Sequence, residues 1–267
     1  MPSIPCWLID ERDGASRNRK NERMKKTIII HLRETDSTNH LLRDYKDDGS
    51  ADIVVVTADH QTAGRGQGTN TWESEADKNL LFSIKVRPEK VPIRMQFMLS
   101  MTEALAVKEA LDSYTEGITL KWPNDVYWHD QKISGTLIET TLAHQHISSC
   151  IFGTGINVNQ IAFVSDAPNP VSLEQILGHE VAVDEVLQRV LTAFEKYYEL
   201  LNEGDYGDIS ALYHLALYRR KGYHRYRDAD GAFDGALVEV EDDGHLILHD
   251  RQGVMRSYLF KEVEFVL

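Results

Sequence analysis

Cysteine is scarce in this chain: Cys6 and Cys150 are the only two in 267 residues. Two thiols make neither a disulfide framework nor a zinc site by themselves, and a reducing, cytoplasmic setting is expected. No apolar stretch approaches the ~20 residues that a bilayer-spanning helix needs. The N-terminus lacks the apolar core of a secretory signal. Positive charge is in deficit as well, with 29 Lys and Arg against 42 Asp and Glu, a net charge of −13. Such a surface repels duplex nucleic acid and anionic membranes, but leaves room for a local cationic pocket. His31, His40, His60, His129, His144 and His146 show no zincin spacing. No Walker loop ending in Lys-Ser/Thr and no dinucleotide fingerprint is present. No nucleophile, base and orienter form an evident set.

What is there is ordinary globular composition, 42% hydrophobic and 27% charged, on a chain long enough for one large domain and a small one. Residues 1–26 are polar and rich in charge, including Arg17, Arg19, Lys20, Arg23 and Lys25. They read as a disordered extension, too short for a helix-turn-helix unit. From Thr27 the pattern mixes strands and helices. Strands are expected at Thr27–Ile30, Ile53–Val56, Leu80–Val86, Ile118–Trp122, Ile133–Thr141 and Ile147–Ile156. Helices are expected after Asp36-Ser37-Thr38-Asn39, over about 94–114, after Val183 with Asp184 as its cap, and over Ile209–Tyr218. Past Arg219-Arg220-Lys221-Gly222, short alternating segments carry turn signals at Asp230-Gly231, Asp234-Gly235 and Asp243-Gly244. The pattern is α+β with an all-β appendage, divided as 27–218 and 219–267.

Four segments carry possible chemistry. In Gln61-Thr62-Ala63-Gly64-Arg65-Gly66-Gln67-Gly68, closed by Trp72, glycines let backbone N–H groups approach an anion and Arg65 adds charge. Most glycine clusters are plain surface loops, so this run alone is weak. In Lys121-Trp122-Pro123-Asn124-Asp125, Lys121 can reach a phosphate, and Asp125 can hold Mg²⁺ or a nucleotide hydroxyl. Pro-Asn-Asp is equally ordinary turn chemistry. Lys132 enters a strand three residues before Gly135, where a ligand can approach, though a mid-chain lysine is usually solvated. Gly153-Thr154-Gly155-Ile156-Asn157 places two glycines in an apolar strand, which suggests a bulge or the close approach of a ligand.

Taken in order, these runs resemble the biotin protein ligases. The matching segments are Asp36-Ser37-Thr38-Asn39, Gln61 to Gly66 with Trp72, Lys121 to Asp125, Lys132-x-x-Gly135-x-Leu137-x-Glu139 and Gly153-x-Gly155-Ile156-Asn157. The resemblance implies a class II synthetase-like catalytic domain, a mixed sheet with flanking helices, followed by a small SH3-like β-barrel. It implies ATP-dependent attachment of biotin to a lysine of a biotin carboxyl carrier protein, through biotinyl-5′-AMP. By resemblance, Lys132 and Arg65 are the catalytic cations. Ser37, Thr38, Asn39, Gln61, Gly64, Arg65, Gly66, Gln67, Lys132, Gly135, Leu137, Gly153 and Gly155 line the biotin side. Trp72, Lys121, Asn124, Asp125 and Asn157 take the ATP side, with Asp125 as a Mg²⁺ ligand. The family loop often reads Gly-Arg-Gly-Arg-Arg-Gly-Arg before its Trp. Here Gln67, Thr69 and Asn70 depart from it, so weaker retention of the adenylate is expected.

Three rivals remain. A lipoate or octanoate ligase shares the catalytic fold, but the Gly-Arg-Gly loop and Lys-Trp-Pro-Asn-Asp favour biotin. A non-catalytic biotin sensor is disfavoured because Lys132 and Asp125 are both present. A nucleotide-dependent oxidoreductase lacks its fingerprint. The chain looks like the enzyme-only type, without a DNA-binding domain, and an exposed sheet edge would allow a homodimer.

Overall fold

The computed structural model describes residues 9–13, 26–46, 49–68, 70–165 and 169–267. Most of the 1–26 extension and the loop position Thr69 therefore lie outside the described residues. Within the extension, the backbone of Ile9–Asp13 forms β1, antiparallel to the strand that follows. The chain divides into two compact units, each assembled from separated stretches. Unit 1 comprises Met1–Glu89, Gly135–Ser165 and Ser172–Asp184, and unit 2 comprises Lys90–Ser134, Asp166–Val171 and Glu185–Leu267.

Unit 1 is built on a mixed sheet in the order β1-β2-β3-β4-β8-β7. Its strands after β1 are β2 (Lys26–Thr35), β3 (Ile53–Gln61), β4 (Leu80–Val86), β8 (His146–Ile156) and, from Gly135 on, β7 (Gln131–Ala143), whose first residues are counted in unit 2. The pair β2 and β3 is parallel, whereas β3–β4 and β4–β8 are antiparallel. The parallel pair needs a crossover, and α1 (Thr38–Asp44) supplies it. The β-branched runs of β2 and β3 bury Ile28, Ile30, Val54 and Val56 around Leu42 of α1, with Ile151 and Ala51. Each such side chain contributes about 1.5–3 kcal/mol of burial. Ser37 occupies the N-cap of α1 but makes no side-chain cap bond. A short helix, α3 (Leu173–Leu177), starts with a capping box between Ser172 and Gln175, a Ser-x-x-Gln signal not read from the sequence.

Unit 2 contains α2 (Phe97–Asp112), the hairpin β5 (Ile118–Lys121) and β6 (Asp125–Trp128), nearly all of α4 (Val183–Glu203), and α5 (Tyr206–Ala216). Met98 and Met101 are buried in α2, as core filling. The apolar face expected on α4 is buried along Val186, Leu187, Val190, Leu191, Phe194, Tyr197 and Leu201. Asp184 lies inside the first turn of α4 rather than at its cap. The C-terminal residues form a five-stranded antiparallel sheet, β12-β11-β10-β9-β13. Its strands are β9 (His224–Asp228), β10 (Gly231–Val240), β11 (Leu246–Asp250), β12 (Met255–Tyr258) and β13 (Glu264–Phe265). That is the β appendage expected past residue 219, and its order runs from β12 to β13 without closing on itself. Asp234-Gly235 is not a turn. It lies within β10, where Gly235 sits against Tyr226 and Phe233. Asp234 there faces Arg225 and Arg251 at 3.2 and 3.0 Å. Among the described residues, no helix is long and apolar enough to cross a membrane.

Candidate active site

In unit 1 the start of α1 meets the sheet mainly through neutral polar groups, with the Glu139 carboxylate as one acceptor. The Thr38 backbone N–H and hydroxyl donate to Gln61 Oε1 at 2.8 and 3.1 Å. Ser83 Oγ, fully buried on β4, lies 2.7 Å from Thr38 Oγ1 and 2.6 Å from Asn39 Oδ1. Asn39 Nδ2 donates to Glu139 Oε2 at 3.2 Å and to the Leu137 carbonyl at 3.4 Å. Ser37 completes the turn, its N–H donating to Asp36 Oδ1 at 2.7 Å. Buried polar groups must find partners, and these satisfy one another in one fixed arrangement.

The two glycines of β8 have a physical role here. A Cβ at Gly153 would overlap the Asn39 amide, and one at Gly155 would overlap the Trp72 ring. The close approach inferred from these glycines is thus made by side chains of the protein itself. Trp72 closes the glycine loop. Its N–H donates to Gly64 O at 3.0 Å, Gly66 N–H donates to Asn70 O at 2.8 Å, and Arg65 bridges to Thr71. The glycine loop therefore has a hydrogen-bonded base, with Arg65 exposed on it. Gln67 Oε1 is buried without a hydrogen-bond partner among the described residues. Asn157, also buried, follows β8 and accepts the Leu173 N–H through its carbonyl at 3.1 Å.

Unit 2 holds the charged set. In the β5–β6 hairpin, Lys121 stands opposite Asp125, with Trp122-Pro123-Asn124 as the turn and a cis Trp122–Pro123 bond. The sequence reading ended its strand at Trp122 and missed β6. Trp122 is buried and its indole N–H donates to Gly244 O at 3.0 Å, on the turn between β10 and β11. The Lys132 backbone is pinned on both sides, by Asn169 O at 2.8 Å and Val171 N–H at 2.9 Å. Its ammonium lies 2.6 Å from Asp125 Oδ1, with both side chains about a quarter exposed. The Lys121 ammonium donates to Tyr127 Oη at 3.0 Å and lies 5.3 Å from the Phe265 ring centroid. Burial pushes its pKa down. Asp125 opposes that shift, and the charges of Lys132 and Arg219 reinforce it. Burial likewise pushes the Tyr127 phenol up, with the Asp125 charge adding to the effect. Arg219 was not among the expected site residues. It donates to Val266 O at 2.8 Å and stacks over Tyr218 at 5.2 Å. Lys121 and the three charges it feels most, those of Asp125, Lys132 and Arg219, leave net positive charge that can receive an anion.

The structure thus groups Ser37, Thr38, Asn39, Gln61, Gly64, Arg65, Gly66, Gln67, Trp72, Gly135, Leu137, Gly153, Gly155 and Asn157 in unit 1, and Lys121, Asn124, Asp125 and Lys132 in unit 2. Ser83, Tyr127 and Arg219 were missed. Ser83 stood inside the strand expected at Leu80–Val86, Tyr127 lies just past the Lys121–Asp125 run, and Arg219 was read only as the start of the basic run before the β tail. Among the described residues, the group of His and carboxylate side chains with ligand atoms close together is Glu241, Asp243 and His245, which does not include Asp125.

Comparison with known proteins bears on this arrangement. The family model described as the biotin/lipoate A/B protein ligase family matches residues 32–157. The bifunctional ligase/repressor BirA of Bacillus subtilis is 30% identical over 248 residues, covering 90% of this chain and 74% of that protein. A biotin–[acetyl-CoA-carboxylase] ligase of Paracoccus denitrificans is 28% identical over 230 residues, covering 83% of this chain and 94% of the relative. Among solved structures, biotin protein ligase from Aquifex aeolicus in complex with biotin and ATP superposes with a TM-score of 0.74 at 28% identity, over 89% of this chain and 99% of that one. With the ordered motifs, the mixed sheet and a relative this similar over most of both lengths, this chain belongs to the biotin/lipoate A/B protein ligase family.

Proposed function

We propose that this chain is a biotin–protein ligase, which joins biotin to the AMP part of ATP and then transfers it to a lysine of a biotin carboxyl carrier protein. The observation that carries the reading is Lys132, held by Asp125 at 2.6 Å in a set that also contains Lys121 and Arg219, on a chain of this family. In the first step a biotin carboxylate oxygen attacks the α-phosphorus of ATP, and the bond to the β-phosphate breaks, releasing pyrophosphate. In the second, the carrier lysine amine attacks the carbonyl carbon of biotinyl-AMP. The bond to AMP breaks, and the amine loses its proton. Negative charge develops first around phosphorus and then on the carbonyl oxygen. A cation fixed beforehand lowers both barriers without reorganising. Lys132 fits that role, and Asp125 orients it. The exposed Arg65 fits a closing role over the adenylate.

The neutral cluster of Thr38, Asn39, Gln61 and Ser83 suits an uncharged ring with its own amide-like donors and acceptors. Ser37, Gly64, Gly66, Gln67, Gly135, Leu137, Gly153 and Gly155 belong to the same side of the reading. Trp72, Lys121, Asn124 and Asn157 belong to the nucleotide side. Asp125 is a poor magnesium ligand here, because its carboxylate is taken up by Lys132 and, among the described residues, joins no cluster of three or more ligating groups. Mg²⁺ therefore enters as part of the substrate, on the phosphate oxygens of ATP. The reading places the reaction in the cytoplasm, where ATP is supplied.

Intact-mass analysis of a biotin carboxyl carrier domain, incubated with this protein, biotin, ATP and Mg²⁺, tests the reading. One added biotinyl group is expected. No addition with biotin, or addition only with lipoate in its place, overturns it. The lipoate arm is kept because the family description covers both acids.

A further inference from the structure

Gln160 is buried, four residues past the end of β8, and its amide is fully engaged. Its Oε1 accepts the Glu75 N–H at 2.9 Å and Asn79 Nδ2 at 2.6 Å. Its Nε2 donates to Glu73 Oε1 at 3.0 Å and to Ala162 O at 2.9 Å. Two acceptor and two donor contacts are all that a side-chain amide can make. The partners continue the network. Asn79 Oδ1 accepts the Val158 N–H at 3.0 Å. The Glu73 carboxylate also accepts the backbone N–H of Val164 at 3.0 Å and of Ser165 at 2.8 Å. Burial alone would raise the Glu73 pKa, but the donors from Ser165, Val164 and Gln160 hold it below the usual carboxylate range.

The network joins two stretches of unit 1. One is Glu73 to Asn79, directly after Trp72. The other is Val158 to Ser165, directly after Asn157. Trp72 and Asn157 are the two residues of unit 1 assigned above to the nucleotide, and the Trp72 ring rests on Gly155 of the same β8. None of the network's side chains is needed to make the sheet, whose strands pair through backbone. The network instead fixes the exit of the glycine loop against the exit of β8.

We propose that Gln160, with Glu73, is a positioning residue for the adenylating step. It holds Trp72 and Asn157 in register, so that this wall of the nucleotide site is formed before ATP arrives. The inference rests on the ligase reading above. Loss of such preorganisation weakens nucleotide capture while leaving the neutral cluster at Thr38, Asn39 and Ser83 intact.

The test uses the full chain as Gln160→Ala, Gln160→Glu, Glu73→Gln and the double exchange Glu73→Gln/Gln160→Glu. Biotin-dependent pyrophosphate exchange gives the KM for ATP and for biotin, and gel filtration gives the release rate of biotinyl-AMP. Gln160→Ala is expected to raise the KM for ATP and the release rate by on the order of tenfold, with the KM for biotin unchanged. Gln160→Glu sets two carboxylates side by side and is expected to be worse, and the double exchange to recover part of the loss. Should Gln160→Ala not fold, Glu73→Gln is expected to show the same split in milder form. Variants that are less stable to heat yet keep the wild-type KM for ATP and release rate overturn the proposal. A wild-type protein that forms no biotinyl-AMP is a different result. It removes the ligase reading, and this inference with it.

Discussion

The neutral cluster of unit 1 and the charged cluster of unit 2 solve opposite problems. Thr38, Asn39, Gln61 and Ser83 are themselves uncharged, and Thr38, Asn39 and Ser83 are buried, with the Glu139 carboxylate reaching the cluster only as an acceptor for Asn39. Around Lys121, Asp125 and Lys132 the groups carry full charge and stay half-buried. A neutral donor or acceptor can be buried cheaply once paired, and then recognises by direction. A full charge buried outright would shift its pKa or demand a partner, so it stays near water and recognises by field. On the proposed reading, the chain separates the chemistry of fitting a ring from the chemistry of holding an anion.

The comparison breaks most sharply at Lys132. Lys132→Ala is expected to cost about 10²–10³ in the rate of biotinyl-AMP formation, the scale of removing one preorganised donor. Biotin affinity by calorimetry should change less than the rate. A variant with near-normal turnover would deny Lys132 its role. On the neutral side, Ser83→Ala deprives Thr38 and Asn39 of a buried partner. A stability loss of about 1–2 kcal/mol in denaturant melts is expected, with weaker biotin binding and an unchanged KM for ATP. An altered KM for ATP alone would erase the distinction between the clusters.

A subtler probe is the titration of Lys121. Its folded pKa is depressed, so between that value and the ordinary lysine value of ~10.4 the unfolded chain holds more protons than the native one. The contribution of Lys121 to stability therefore rises with pH across that alkaline window and is flat below it. Measured from pH 8 to 10, the stability of wild type relative to Lys121→Met should climb, and a flat difference would contradict the burial argument. The smallest effect belongs to Gln67, on the loop. Gln67→Arg restores a charge where the family loop often has one, and a few-fold slower release of biotinyl-AMP is expected, the worth of one exposed charge contact. Equal release would leave the loop departures without consequence.

These contrasts were only partly written in the sequence. The runs at 61–72, 121–125, 132–139 and 153–157 were visible because they crowd Gly, Lys, Asn and Asp into a few positions. The amphipathic face of α4 was visible because its period is local. By contrast, β6 was hidden because Asn124 and Asp125 are good turn residues, and only the partner strand makes Asp125 the start of a strand. Asp234-Gly235 carried the chemistry of a turn, but Tyr226 and Phe233 keep that glycine inside β10. Gln160 gave no signal at all. Its meaning lies in Glu73, Glu75 and Asn79, more than eighty residues away in the chain. Glycines 153 and 155 announced a close approach, but not whose: Asn39 and Trp72 are also distant in sequence.

The indole of Trp122 has one proton to give, and it gives it to a carbonyl 122 residues further on. Severing the tail ahead of that turn would strand the proton in an apolar recess and slacken the hairpin on which Asp125 sits. For this polypeptide the residues from 219 onward are no detachable accessory: trimming them is surgery on the lysine–tryptophan signature itself.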